Sequence, residues 1–296
     1  PAVILTKNEE KHIARCIGSL KNVCDEVIVV DSFSSDKTCD IAKSFNARVY
    51  KNAWKNYASQ FNFAIHKCPI ESEWIWRIDA DEYLEGNIGS AVKGAVKKCG
   101  SDVNGIYVRK RIDFMGKPLK HGGWYPTYHL KVFRKGHGEC ENRWMDEHIR
   151  IFDGKTITVD EGNQVDANLN GLTWWTDKHN HYATREMIDM LMTEFELDAK
   201  GQEVIPMFFG TEEQRKRWLK MKYVKAPLFV RPFANFFYRY IIRGGFLDGK
   251  EGFIWHILQG FWYRMLVDAK IFEIKKKFNS NPEAIKEFLK DYLACS

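Results

Sequence analysis

Short β-branched runs and helix-spaced segments take turns through about the first 80 residues of this 296-residue chain. Val3-Ile4-Leu5-Thr6 reads as a buried strand, and Glu9 to Leu20 follows with apolar positions at helical spacing. Val27-Ile28-Val29-Val30 is a second run that stops at Asp31. After it, Ser34-Ser35-Asp36 offers N-cap chemistry and Thr38 to Phe45 predicts a helix. Arg48-Val49-Tyr50 is a third short strand, Asn56 to Cys68 a helix, and Glu73 to Ile78 a fourth strand. The alternation predicts an α/β fold with a mostly parallel sheet and helices on both faces.

Ligands of such sheets bind beyond the carboxyl ends of the strands. The polar clusters fall there: Thr6-Lys7-Asn8-Glu9 after the first strand, Asp31 after the second, Asp79-Ala80-Asp81-Glu82 after the fourth. If the extended backbone persists through Ala80, Asp79 and Asp81 share one face. Paired carboxylates suit a hard cation such as Mg2+ or Mn2+, which takes its remaining ligands from water and substrate phosphates. A diphosphate-bearing substrate is the expectation.

Four blocks of this sequence together resemble the family 2 glycosyltransferases, which have the GT-A nucleotide-sugar-binding fold. They are Val3 to Glu10, Val29 to Thr38, the helix bearing Asn62, and Ile78-Asp79-Ala80-Asp81-Glu82. The resemblance implies that Thr6, Glu9 and Asp31 face the base and ribose of a nucleotide diphosphate sugar, usually UDP, with Asn8, Asn62 and Ala80 lining the donor site. It implies that Asp79 and Asp81 reach the ribose and the metal. Phe33 departs from the family, which often has Gly or a small residue there. A sugar-nucleotide pyrophosphorylase would also use paired aspartates on such a sheet, but it is expected to carry a Gly-rich N-terminal phosphate loop, absent here. A third reading is a non-catalytic subunit of a polysaccharide assembly complex, which would bind nucleotide without turnover.

Charge divides the chain unevenly. Of 45 Lys/Arg and 39 Asp/Glu, residues 221–296 hold 13 and 7, leaving 32 and 32 elsewhere, so the net +6 belongs to the C-terminal quarter. There Phe233, Phe237, Tyr240, Phe246, Phe253, Trp262 and other aromatics interleave with Arg231, Arg239, Arg243 and Arg264. Basic amphipathic helices with aromatic faces suit an anionic bilayer surface, and the alternative is a packed helical tail. Gly244 to Gly249 reads as the break between two helices. The stretch Arg239 to Gly252 also resembles a subgroup that builds lipopolysaccharide cores and exopolysaccharide units. That resemblance implies a lipid-linked saccharide acceptor, either lipid A-core or an undecaprenyl diphosphate oligosaccharide.

The expected organisation is a catalytic domain over 1–165 and a helical acceptor-side, membrane-associating region over 166–296. No apolar run approaches the roughly 20 residues of a spanning helix, and Lys7, Glu9 and Glu10 interrupt the first apolar stretch, so no signal peptide is read. Seven cysteines without metal-ligand spacing suggest reduced thiols. The expected place is cytoplasmic, peripheral on the inner face of the membrane. No nucleic-acid module is legible, so no nucleic acid partner is expected.

In an inverting transfer a carboxylate must take the proton of the attacking hydroxyl. Asp146 and Glu147 in Arg143 to His148 are the candidates, with the family's base also falling in this region. Trp174 to Glu186 opens a helix on which Lys178, Tyr182 and Arg185 share one face, able to neutralise a leaving diphosphate or grip an acceptor phosphate. His179 is a candidate third metal ligand, and His148 a weaker one. Lys120 to Tyr125 reads as a flexible loop whose aromatics could stack on an acceptor sugar.

Overall fold

The computed structural model describes residues 1–141, 147–195, 197, 209, 218 and 222–295. The chain forms two compact units, Pro1–Asn170 with Leu247–Gly252, and Gly171–Phe246 with Phe253–Ser296.

In the first unit, β1 (Ala2–Thr6), β2 (Val27–Asp31), β3 (Arg48–Lys51) and β4 (Trp74–Asp79) alternate with α1 (Ile13–Ser19), α2 (Thr38–Ser44) and α3 (Tyr57–Lys67). All three strand pairings here are parallel, in the order β3-β2-β1-β4. The strand order therefore reverses direction between β1 and β4, and a crevice opens at the carboxyl ends of the strands on either side of such a switch. The remainder of the sheet is mixed. Strand β8 (Thr127–Arg134) runs antiparallel to β4 and to the 12-residue β6 (Val103–Phe114). Beyond it, β11 (Lys155–Asp166) pairs parallel with β6 and antiparallel with β5 (Glu82–Glu85). A short β7 (Lys117–Pro118) flanks β6, α4 (Ile88–Lys98) follows β5, and β9 (Gly138–Cys140) pairs with β10 (Ile149–Ile151) in a small ribbon.

Period-two alternation sends neighbouring strand residues into different layers. Ala2, Ile4, Val29, Trp76 and Ile78 pack with Ile13, Cys16 and Leu20. Val3, Ile28, Val30, Ile75 and Phe133 pack with Ala58, Phe61 and Ala64. Each fully buried phenylalanine contributes about 1.5–3 kcal/mol relative to exposure.

Local capping decides where the helices begin. Helix α1 starts at Ile13, four residues after the start its apolar spacing suggests, and residues ahead of it form a turn closed by the His12 amide on the Glu9 carbonyl. The Asn56 cap of α3 forms a capping box with Ser59, as polar residues before an apolar run favour. Six cysteines, Cys16, Cys24, Cys39, Cys68, Cys99 and Cys140, are free thiols.

In the second unit, α5 (Leu172–Glu194) packs against α8 (Tyr263–Lys277) and α9 (Pro282–Cys295) through Met187, Ile188, Leu191, Val267, Ile271 and Leu289. Helix α6 (Val230–Phe236) continues into a π-helical stretch, Phe237–Ile242. After the break, α7 (Gly249–Trp255) continues into a second one, His256–Trp262. Phe233 and Phe236 meet Phe261 across this hairpin, and the Asn235 amide donates to the Gly260 carbonyl at 2.8 Å, satisfying a group that the π-turn releases. At its base the buried Arg231 pairs with Asp268. Among the described residues no helix is long and apolar enough to cross a membrane.

Candidate active site

The carboxyl ends of β1 and β2 are laced into one polar surface. Asp31 is fully buried and accepts from Thr6 Oγ1 at 2.9 Å, from Ser34 Oγ at 2.5 Å and from the Ser34 amide at 2.8 Å. Burial alone would raise its carboxyl, but the Ser34 and Thr6 bonds outweigh that and hold it below the ordinary Asp range. Asn8 accepts from the Ser35 amide at 2.8 Å, and Glu9 bonds His12 Nδ1 at 2.6 Å. Thr6, Asn8, Glu9 and Asp31 therefore lie together, as their strand-end positions predict. Asp36, within the expected Ser34-Ser35-Asp36 cap segment, stands one residue before the N-cap Lys37 of α2 and accepts from the Thr38 amide at 3.0 Å.

The one-face expectation for Asp79 and Asp81 fails. Strand β4 ends at Asp79, and Ala80-Asp81 form a turn, so the two carboxylates leave the backbone differently. Ala80 is buried in the core, and so can contribute to the donor site only through this turn. Asp79 is committed to protein partners: Tyr57 donates its hydroxyl to Oδ1 at 2.5 Å and Lys131 its ammonium to Oδ2 at 3.3 Å. Burial would raise this carboxyl as well, but Lys131, Arg77, Lys110 and the Tyr57 hydroxyl hold it far below the ordinary range. Lys131 also bonds both oxygens of the buried Glu82, at 3.0 and 3.1 Å, and Lys110 bridges Glu82 and Asp166. Gln164 completes the network, accepting from Trp76 Nε1 at 2.9 Å and donating to Glu82 at 2.5 Å.

Asp81 has a different setting. Its carbonyl accepts from Arg15 at 3.0 Å and from the Ala167 amide at 3.2 Å, which fixes the turn, and its Oδ2 accepts from the Asn168 amide at 3.0 Å. One half-exposed carboxylate on a fixed backbone offers a hard oxygen ligand. No group of three or more His, Cys, Asp or Glu among the described residues is placed to hold a metal by itself. A divalent cation here would take its other ligands from water and phosphate, the usual habit of Mg2+.

A polar relay leads from this cluster toward the candidate base. From Asp79 it runs through Tyr57 to Arg77, which donates to the Tyr57 hydroxyl oxygen at 2.8 Å and to the Glu147 carbonyl at 3.0 Å. The segment bearing Glu147 is thereby tied to β4. Asp146 lies outside the described residues. Asn62 grips β9, donating to the Cys140 carbonyl and accepting from its amide, both at 2.9 Å, so its amide serves the architecture around the site.

Lys178, Tyr182 and Arg185 share one face of α5 in the second unit. Lys178 lies 4.6 Å from the Trp174 ring centroid and 5.6 Å from that of Tyr182, with Arg185 6.0 Å from the latter. On the same helix His179 stacks on Trp175 at 3.5 Å and its Nδ1 bonds the Trp175 carbonyl, which makes it a packing residue of that unit. The Lys120 to Tyr125 loop, read as flexible, is instead anchored: the buried Asp248 carboxylate accepts from the Lys120 and His121 amides and pairs with His121 Nδ1.

Sequence reasoning missed Tyr57, Arg77, Lys131 and Gln164. The signal for two of them was present, since Arg77 and Lys131 are lone charges inside apolar strands. Their partners follow from the antiparallel β4–β8 pairing and the neighbouring β6–β11 strands, which local pattern does not encode.

A parallel switch point with carboxylates at three strand ends marks this edge of the α/β sheet as the candidate ligand site. Residues 2–149 match Glycosyl transferase family 2, and the chain belongs to that family. It is 27% identical over 279 residues, 93% of this chain and 87% of the relative, to an uncharacterized glycosyltransferase, RT0209, of Rickettsia typhi. Over 278 residues, 92% of this chain and 91% of the relative, it is 26% identical to the lipopolysaccharide core biosynthesis glycosyltransferase LpsC of Rhizobium meliloti. Among solved structures, the mannosyltransferase PcManGT of Pyrobaculum calidifontis, in complex with GDP-Man and Mn2+, superposes with a TM-score of 0.50 at 14% identity, covering 92% of this chain and 86% of that one. That likeness identifies the fold as GT-A. Family membership sets aside the pyrophosphorylase reading.

Proposed function

We propose that this glycosyltransferase moves a sugar, with inversion, from a nucleotide diphosphate sugar to a lipid-linked saccharide in the synthesis of bacterial lipopolysaccharide or a related surface polysaccharide. The observation that carries the donor half is the division of labour between Asp79 and Asp81. The first is bonded to the Tyr57 hydroxyl and to Lys131, which also holds the buried Glu82. The second is presented from a fixed turn. In this reading Asp31, Thr6, Asn8 and Glu9 receive the base and ribose, and Asp81 holds a Mn2+ or Mg2+ ion together with the diphosphate. When bound, the ion neutralises charge developing on the leaving group. Asp146 or Glu147 takes the proton of the acceptor hydroxyl as it attacks the anomeric carbon from the face opposite the diphosphate. The Lys178–Tyr182–Arg185 face receives phosphate, of the donor or of the acceptor.

The acceptor half rests on the helical hairpin and on similarity to LpsC. Val230, Phe233, Phe237, Ile241 and Ile242 stand exposed, and Phe233, Phe237 and Ile241 form one stripe at four-residue spacing; Phe237 is 56% exposed. Arg239 lies near Arg264 and Arg243. Burial and those two like charges push its guanidinium down to about 10, a setting that an anionic group would relieve. Exposed aromatics beside such cations suit the anionic inner face of a cytoplasmic membrane.

A panel of UDP- and GDP-sugars, each incubated with the protein and Mn2+ or Mg2+, tests the donor half. Release of nucleoside diphosphate from one of them is expected. If no donor turns over with any lipid-linked or lipid-free acceptor, the reading fails.

A further inference from the structure

Phe33 occupies a backbone conformation that its side chain disfavours. It follows the Asp31-Ser32 strand end with φ 59°, in the left-handed region where glycine is free of strain and a bulky residue is not. Burial does not compensate, because the side chain is 55% exposed. Exposed phenylalanines are common singly, but a strained one is not.

The surrounding structure enforces the conformation. Lys7 Nζ donates to the carbonyls of Ser32 and Phe33 at 2.8 and 2.7 Å. Gln60 donates to Ser32 Oγ at 2.9 Å, and Ser34 closes onto Asp31 through both its amide and its hydroxyl. Lys7, Gln60 and Ser34 thus fix the backbone that carries Phe33 two residues beyond Asp31, and Lys51 Nζ lies 5.6 Å from the ring centroid.

We propose that Phe33 is the platform on which the nucleobase of the donor stacks, making it a specificity-determining residue of the donor site. The inference rests on the reading that the donor nucleotide lies at these strand ends. A planar base offers the ring a π-face, and stacking recovers affinity that an exposed ring otherwise forgoes.

The test compares wild type with Phe33→Gly, Phe33→Leu and Phe33→Tyr, titrated in Mn2+ with UDP, GDP and inorganic pyrophosphate. Wild type should bind one nucleoside diphosphate. Phe33→Gly and Phe33→Leu should bind it about 5- to 100-fold more weakly, while Phe33→Tyr stays within about threefold of wild type. Pyrophosphate, which has no base, should bind all four alike. Phe33→Gly should melt no lower than wild type, since glycine relieves the strain. Unchanged nucleotide affinity in Phe33→Gly or Phe33→Leu overturns the inference while leaving the donor reading intact. So does an equal loss for pyrophosphate, or a lowered melting temperature of Phe33→Gly, either of which would mark a loop role. Wild type that binds neither nucleotide overturns the donor reading and this inference with it.

Discussion

The strand ends of the first unit and the helical hairpin of the second treat their side chains in opposite ways. At the strand ends charged groups are drawn inward and bonded: Asp31, Glu82 and Lys131 are all buried, and each has its partners within the network. On the hairpin, apolar groups are turned outward, with Phe233 and Ile242 58% and 64% exposed. A bonded, desolvated polar cluster holds dipoles in place before substrate arrives, which is what transition-state stabilisation needs. An exposed aromatic stripe holds nothing in place and gains free energy only when something covers it. In the proposed function the first region is built for chemistry and the second for docking.

The sharpest way to break this contrast is at the base. One of Asp146→Asn and Glu147→Gln should lower transfer by about 10²- to 10⁴-fold with donor affinity nearly unchanged. Initial-rate kinetics on the two variants decide it, and near-normal rates in both would place the base elsewhere.

Next in size is the buried network. Lys131→Met leaves Glu82 and Asp79 without their shared cation, and breaking a buried pair costs about 3–5 kcal/mol. Denaturant unfolding should show this loss, although Lys110 remains on Glu82 to moderate it. A loss below about 1 kcal/mol would mean that the network contributes little to holding the site.

On the hairpin, Arg239→Gln with Arg243→Gln should weaken sedimentation with anionic vesicles by about 2 kcal/mol at low salt, at about 1 kcal/mol per cation near the surface. The difference should shrink in high salt, where screening is strong. Donor hydrolysis should not change. Binding to neutral and anionic vesicles alike would break the electrostatic half of the contrast.

The smallest effect concerns acid. The carboxyls of Asp31 and Asp36 lie below their ordinary value of 3.8, held there against burial by hydrogen bonds from Ser34 and Thr38. A folded value depressed below the unfolded one gives stability that is fully present above pH 3.8 and lost as pH falls below it. Ser34→Ala removes one of those bonds, so its melting temperature should fall less steeply than that of wild type between pH 5 and 3. Parallel curves would show that Asp31 contributes no acid dependence.

What the sequence made legible was local. The four parallel strands, the helix beginning at Asn56 and the strand-end placing of Thr6, Asp31 and Asp79 follow from β-branched runs and helical spacing, which act over a few positions. The break at Gly244 to Gly249 was readable for the same reason, as Gly244 and Gly249 both take positive φ. What was not legible depends on register between distant strands. Lys131 finds Asp79 because β8 runs antiparallel beside β4, and Gln164 reaches Glu82 because β11 pairs with β5. The turn at Ala80-Asp81 likewise depends on Ala167 and Arg15, one of them more than 80 residues away. The aromatic tail was legible only as two alternatives, packed tail or membrane surface, and its burial is divided: Trp255 and Tyr263 are buried, whereas Phe233 and Phe237 are exposed.

The central claim is that Asp81, presented from its fixed turn, holds the metal and diphosphate of a nucleotide donor. Calorimetric titration of wild type and Asp81→Ala with UDP and GDP, in Mn2+ and in EDTA, tests it most directly. The account predicts that wild type binds one nucleotide about 100-fold more tightly in Mn2+ than in EDTA, and that Asp81→Ala loses this difference while melting at the wild-type temperature. A variant that binds the nucleotide in Mn2+ as tightly as wild type would contradict it.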